Sequence, residues 1–124
     1  MIKLRKLAII LISILLAATL TACGGDVLQE VVNEINSDRE FHEALSGLYT
    51  VRAEKRGKSA IAVVFNAQLE ELATTELSRT VVEGGAKEFG NAVNEMRKAR
   101  ISDPEVILEF FDLNGIMIYS HVFN

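Results

Sequence analysis

Fourteen apolar or small residues, from Leu7 to Leu20, lead without a charge toward Cys23, the only cysteine of the chain. A basic tip precedes them and contains Lys3, Arg5 and Lys6. A basic tip, an apolar segment and small residues are the three parts of a secretory signal peptide. As a helix the apolar run would span about 21 Å, short of the ~30 Å hydrocarbon core of a bilayer. We therefore expect residues 1–22 to be a signal peptide, with an uncleaved membrane anchor as the alternative.

Four residues at the end of this segment, Leu20, Thr21, Ala22 and Cys23, resemble the lipobox of bacterial lipoproteins. The resemblance implies that the Cys23 thiol receives a diacylglyceryl group and that the chain is cut just before it. Residues 23–25 would then be the lipidated cysteine and a short glycine tether. Two acyl chains give a stable membrane anchor, whereas one chain holds a protein only marginally. The expected location is the outer, extracytoplasmic face of the cell membrane, with no cofactor other than this lipid.

Without residues 1–22, 102 of the 124 residues remain, and they must fold without a disulfide because Cys23 has no partner. This length suffices for one hydrophobic core, so residues 26–124 are expected to form a single domain. The remaining chain has 10 basic and 17 acidic side chains, a net charge of −7. That balance argues against nucleic acid as a partner, because phosphate binding depends on clustered lysine and arginine.

Hydrophobic spacing predicts two helices and then a hairpin in the first half of the domain. Valine, leucine and isoleucine at helical spacing indicate a helix over residues 27–36, and an S-x-x-E pattern opens a second, short helix that ends at Leu45. Alternating residues then predict strands over 48–54 and 59–65. Gly57 lies between them and suits the positive φ of a tight turn.

The second half is expected to contain one long helix and a second hairpin. Residues 67–100 have helical periodicity, and the alternative is two helices separated at Gly84-Gly85. Two apolar runs follow Pro104, and Asn114-Gly115 between them predicts a hairpin turn with positive φ at both residues. The expected fold is α+β: an antiparallel sheet of about four strands, two hairpins, with the long helix on one face.

Both faces of the C-terminal hairpin are largely apolar, and the long helix can cover only one of them. One face would carry Ile107, Phe111, Leu113, Ile116, Ile118 and Val122, and the other Val106, Leu108, Phe110, Tyr119, His121 and Phe123. We expect residues 27–45 to cover the second face, with a second protomer, a ligand or a partner as alternatives. If it is open, the candidate interaction surface contains Phe110, Tyr119 and His121.

Catalytic and metal-binding patterns do not emerge from the sequence. The two histidines, His42 and His121, fall on different elements without a zinc-binding spacing, and no serine stands in a nucleophile-elbow motif. A basic cluster on the first hairpin could touch anionic lipid or wall polymers, although a solvated loop is the simpler interpretation; its members are Arg52, Lys55, Arg56 and Lys58. The prediction is therefore a non-catalytic binding module of the cell envelope. The alternatives are a small-ligand carrier and an enzyme, or enzyme accessory, that acts on envelope substrates.

The C-terminal stretch from Ile101 to Phe123 resembles the ending of a family of short, uncharacterised lipoproteins of Gram-positive bacteria. The family pattern is a long helix, an Asp-Pro pair, an apolar strand, a glycine turn and a final strand that ends near an aromatic residue. The matching residues here are Asp103, Pro104, Asp112, Gly115, Tyr119 and Phe123. Gly84-Gly85 within the helical segment departs from the pattern. The resemblance implies a lipoprotein and no functional residue, because the family has no assigned activity.

Overall fold

The computed structural model describes residues 27–124, which form four α-helices and a four-stranded sheet. The predicted signal peptide, lipobox and tether lie outside these described residues. The elements in chain order are α1 (Val27–Ser37), α2 (Arg39–Leu45), β1 (Tyr49–Arg56), β2 (Ala60–Ala67), a 3₁₀ turn (Glu70–Leu72), α3 (Thr75–Gly84), α4 (Ala86–Lys98), β3 (Glu105–Phe111) and β4 (Met117–Phe123). The α+β class and both hairpins are confirmed.

The sheet is mixed, which corrects the expectation of a purely antiparallel one. Its strand order is β1-β2-β3-β4; β1–β2 and β3–β4 are antiparallel hairpins, but β2 and β3 run parallel. The helical segment between them crosses the sheet once and returns the chain to the end where β2 began. Glu105 N donates there to Ser59 O at 3.0 Å. A single helical crossover makes the strands that it joins parallel.

The expected long helix is two helices, as in the alternative interpretation. Thr74 caps the start of α3, since its hydroxyl accepts a hydrogen bond from Leu77 N at 3.1 Å. Gly85, with φ −109° and ψ 6°, leaves the helical conformation, and α4 begins at the next residue. Glycine weakens a helix interior, and two in succession end α3 here.

All four helices lie on the same face of the sheet, which we call the inner face. α1 and α2 pack on the first hairpin, and α3 and α4 pack on the second. One core joins them, and the sheet contributes Val51, Val63, Phe65, Leu108 and Phe110 to it, among others. Residues 27–45 lie on the face that carries Phe110, as expected, but α3 and α4 lie on this face too. The expectation that residues 27–45 and the long helical segment cover opposite faces is therefore wrong.

In the turn between β3 and β4, only Gly115 has a positive φ (78°). The expectation of a positive φ at Asn114 as well is wrong. The Asp112 carboxylate accepts hydrogen bonds from Asn114 N and Ile116 N, at 2.8 and 2.9 Å. This side-chain bonding holds Asn114 in an ordinary turn conformation. A bulge pairs Phe110 with Tyr119 but Phe111 with Met117, so Ile118 packs against the core instead of lying on the opposite face.

Candidate functional site

The face of the sheet opposite to the helices, which we call the outer face, is the main candidate site. Because side chains alternate along a strand and paired residues share a face, the register assigns its members. They are Thr50, Arg52, Glu54 and Arg56 on β1; Ala60, Ala62, Val64 and Asn66 on β2; Glu105, Ile107, Glu109 and Phe111 on β3; and Met117, Ser120 and Val122 on β4.

An ion pair lies across the middle of the outer face. The Arg56 guanidinium donates from Nη1 to Glu109 Oε2 at 2.9 Å and from Nη2 to Glu109 Oε1 at 2.7 Å. Arg56 belongs to β1 and Glu109 to β3, so the arginine side chain must cross β2. It can do so because Ala60 and Ala62 are small. The pair closes over these alanines and leaves Glu109 only 7% exposed.

Two more charges extend this pair along β1. Arg56 Nη2 also donates to Glu54 Oε1 at 2.6 Å, and Arg52 Nη2 lies 3.8 Å from the same oxygen. The hydrogen bond from Arg56 lowers the pKa of Glu54 below its ordinary value. Hydrogen bonds to Glu109 and Glu54 raise the pKa of Arg56 further above its usual range. Two positive and two negative groups therefore form a charged ridge without net charge.

The other half of the outer face is apolar. Ile107 and Phe111 on β3 are half-buried, while Met117 and Val122 on β4 are 46% and 42% exposed. We call these four residues the apolar strip. The rigid β3–β4 turn continues it with Leu113 and Ile116, which are both exposed. The outer face therefore combines an apolar strip with a charged ridge, the two kinds of surface that protein interfaces place together.

The interaction surface predicted at Phe110, Tyr119 and His121 is wrong for Phe110. This side chain is 1% exposed and belongs to the core. Its ring stacks on Phe65 with centroids 4.8 Å apart. Tyr119 packs against the same core, and the half-buried His121 lies edge-on to Phe123, with ring centroids 4.6 Å apart. The predicted grouping of these residues on one face is right, but that face is the one that the helices cover.

The predicted basic cluster does not converge on one surface. Arg52 and Arg56 lie on the outer face and contact Glu54, Lys58 is exposed in the turn, and strand alternation directs Lys55 to the inner side. An alternating strand distributes neighbouring residues over two faces. The arginines are therefore part of a neutral ridge and not of a cationic tip.

Neither histidine lies in a metal-binding arrangement within residues 27–124, where no group of three or more potential metal-ligand side chains is found. His42 Nε2 is 2.9 Å from Ile35 O. Because a carbonyl oxygen can only accept, this nitrogen carries the proton, and the ring ties α2 to α1. Within the same residues no helix is both long and apolar enough to cross a membrane.

Neither Glu109 nor its pairing with Arg56 was expected from the sequence. Two signals were present: a single glutamate inside the apolar run of residues 106–111, and small Ala60 and Ala62 alternating with large residues on β2. An acidic side chain in a buried strand needs a counter-charge, and small neighbours leave room for one.

Comparison with known proteins adds no relative to this picture. No family model, curated protein or solved structure matches the chain.

Proposed function

We propose that this chain is an exported bacterial lipoprotein, anchored through a diacylglyceryl group on Cys23 to the outer face of the cell membrane. The observation that carries the proposal is the order of the N-terminal residues: a basic tip, fourteen apolar or small residues, and Leu20-Thr21-Ala22-Cys23. Gly24 and Gly25, which follow Cys23, have no side chains that would hinder a modifying enzyme. The family of short Gram-positive lipoproteins that the C-terminal stretch resembles supports the same assignment.

We further propose that the domain acts as a non-catalytic binding module and that a protein of the cell envelope is its partner. What supports this is the outer face, where the partly exposed apolar strip lies beside the charged ridge. The space between helices and sheet is filled by core side chains such as Phe65 and Phe110, so the outer face is the better binding surface than the interior. Apolar side chains would supply affinity, and the fixed charges would select the partner.

Intact mass spectrometry tests the anchor. Protein extracted from the membranes of its native host should begin at Cys23 and carry the mass of a diacylglyceryl adduct. A Cys23→Ala variant should be neither cut at residue 23 nor lipidated. An unlipidated wild-type protein that retains Met1 would refute the anchor.

Site-specific photo-crosslinking in intact cells tests the binding surface. A photoreactive residue at Phe111, on the apolar strip, should give an adduct with one envelope protein, and so should one at Ile107. The control position is Arg79, which is exposed on α3 and lies on the helical side of the sheet. Equal labelling from Arg79 and Phe111, or no adduct from Phe111 and Ile107, would rule out the outer face as the binding site.

A further inference from the structure

The two edge strands of the sheet differ in how their outward backbone groups are protected. On β1, Ala53 N donates to Asn36 Oδ1 at 2.7 Å, and Asn36 Nδ2 donates to Ala53 O at 2.9 Å. The Asn36 amide therefore occupies the position that a neighbouring strand would take. β1 also carries four charged side chains, which discourage pairing with another chain. This edge is closed.

The edge of β4 has much weaker protection. Its sequence, MIYSHVF, contains no aspartate, glutamate, lysine, arginine or proline. Natural edge strands use charges and proline to prevent pairing, and β4 has neither. The Thr75 hydroxyl approaches its backbone at Ile118 O, but at 3.4 Å, which is a long contact. Met117 and Val122 add exposed apolar side chains near the two ends of the strand.

We propose that β4 pairs antiparallel with β4 of a second copy of this chain, so that two four-stranded sheets join into one. The strand favours a copy of itself. A two-fold axis at its middle residue, Ser120, places serine opposite serine on the outer face and Tyr119 opposite His121 on the inner face. Hydroxyl and aromatic pairs of this kind stabilise neighbouring strands.

Charge restricts where two copies of the chain can meet. Residues 23–124 carry a net charge of −7, so two copies repel one another over most of their surfaces. Because β4 contains no aspartate, glutamate, lysine or arginine, no like charges oppose each other where two β4 strands pair. Across the axis the two apolar strips would also lie side by side on one continuous outer face. This inference goes beyond the proposed function and does not depend on lipidation.

Disulfide trapping tests the pairing, and the chain suits it because Cys23 is its only cysteine. In the full chain with Cys23→Ala, purified in detergent, Ser120→Cys introduces a single thiol. Opposite residues on paired strands have Cβ atoms about 4.5–5.5 Å apart, close to the ~4 Å that a disulfide spans. Mild oxidation should therefore link Ser120→Cys into dimers. The matched control, Thr50→Cys, is also exposed on the outer face of an edge strand, but on the closed edge.

Sedimentation of the full chain in detergent provides the second measurement. Ser120→Lys places two ammonium groups opposite each other and should lower the dimer association constant about tenfold. Thr50→Lys should leave it unchanged. Equal disulfide formation from Ser120→Cys and Thr50→Cys, or a dimer fraction that Ser120→Lys does not change, would overturn the proposal. A wild-type chain that stays monomeric at high concentration would also overturn the proposal. The pairing partner of β4 would then have to be a strand of a different protein.

Discussion

The inner and outer faces of the sheet are built from the same four strands, yet they are held by different interactions. On the inner face, apolar residues from every strand meet the helices, and Leu108 has no exposed surface. On the outer face, the most buried charged group is Glu109, which Arg56 reaches across two alanines. Within residues 27–124 this sheet is one-sided: hydrophobic burial stabilises its inner face, while small residues and paired charges cover its outer face without a second layer.

Neighbouring residues on β3 give the largest expected contrast between the faces. Leu108→Ala should lower the free energy of unfolding by about 3 kcal/mol, because it leaves a cavity in a packed core. Ile107→Ala, one residue away on the half-exposed outer face, should cost about 1 kcal/mol. Urea unfolding followed by circular dichroism measures both. Equal losses would mean that the outer face is packed as tightly as the inner one.

The ion pair should show the next largest effect. Glu109→Ala leaves the Arg56 guanidinium without its two main acceptors, and we expect a loss of about 2 kcal/mol in the free energy of unfolding. Glu105→Ala, on the same strand and face but half-exposed, serves as the control and should cost under about 0.5 kcal/mol. Chemical denaturation provides the values. A loss for Glu109→Ala no larger than that of the control would show that the pair contributes nothing to stability.

The small residues beneath the ion pair permit a third test. Ala62→Leu should displace the Arg56 side chain from its path across β2 and cost about 1 kcal/mol, although it adds apolar surface. In an Arg56→Ala background the obstruction is gone, and the same substitution should cost less or even stabilise. Comparing the four proteins in a thermodynamic cycle isolates this coupling. Additive effects would mean that Arg56 does not depend on the alanines.

Acid sensitivity should give the smallest effect. The hydrogen bond from Arg56 lowers the pKa of Glu54 below its ordinary value of 4.5 in the folded protein. The resulting stabilisation is present above that pH and is lost as the pH falls through the lowered, folded-state value. Between pH 6 and pH 3 the wild type should therefore lose slightly more stability than Glu54→Gln. Thermal unfolding at both pH values measures the difference, and identical losses would contradict the assigned cause.

Local elements of this fold were predictable from the sequence because they depend on local spacing. The first hairpin was expected over 48–54 and 59–65, and it occupies Tyr49–Arg56 and Ala60–Ala67. The placement of Phe110 and Tyr119 on one face of the second hairpin followed from the apolar runs on either side of the Asn-Gly turn. The exact turn conformation did not, because it depends on how the Asp112 carboxylate bonds to the backbone.

Relationships between distant segments were not predictable in the same way. The parallel pairing of β2 and β3 depends on the path of α3 and α4 across the sheet, and two hairpins alone do not specify it. The bond from Arg56 to Glu109 joins residues 53 positions apart, through a register that no local pattern encodes. That α1 and α2 share a face of the sheet with α3 and α4 followed from neither their amphipathic pattern nor their length, since both faces of the second hairpin are apolar.

The single parallel pairing between the two hairpins also has a consequence for the kinetics of folding. Each hairpin closes through a short turn, and its two helices pack on it, so residues 27–67 and 75–123 can organise separately and early. Joining β2 to β3 must bring together segments separated by residues 68–104, and long loops close at a higher entropic cost. We expect this joining to limit the folding rate. Until β2 and β3 pair, each of these central strands has an unpaired edge. We therefore expect the chain to be most prone to aggregation at this stage of folding.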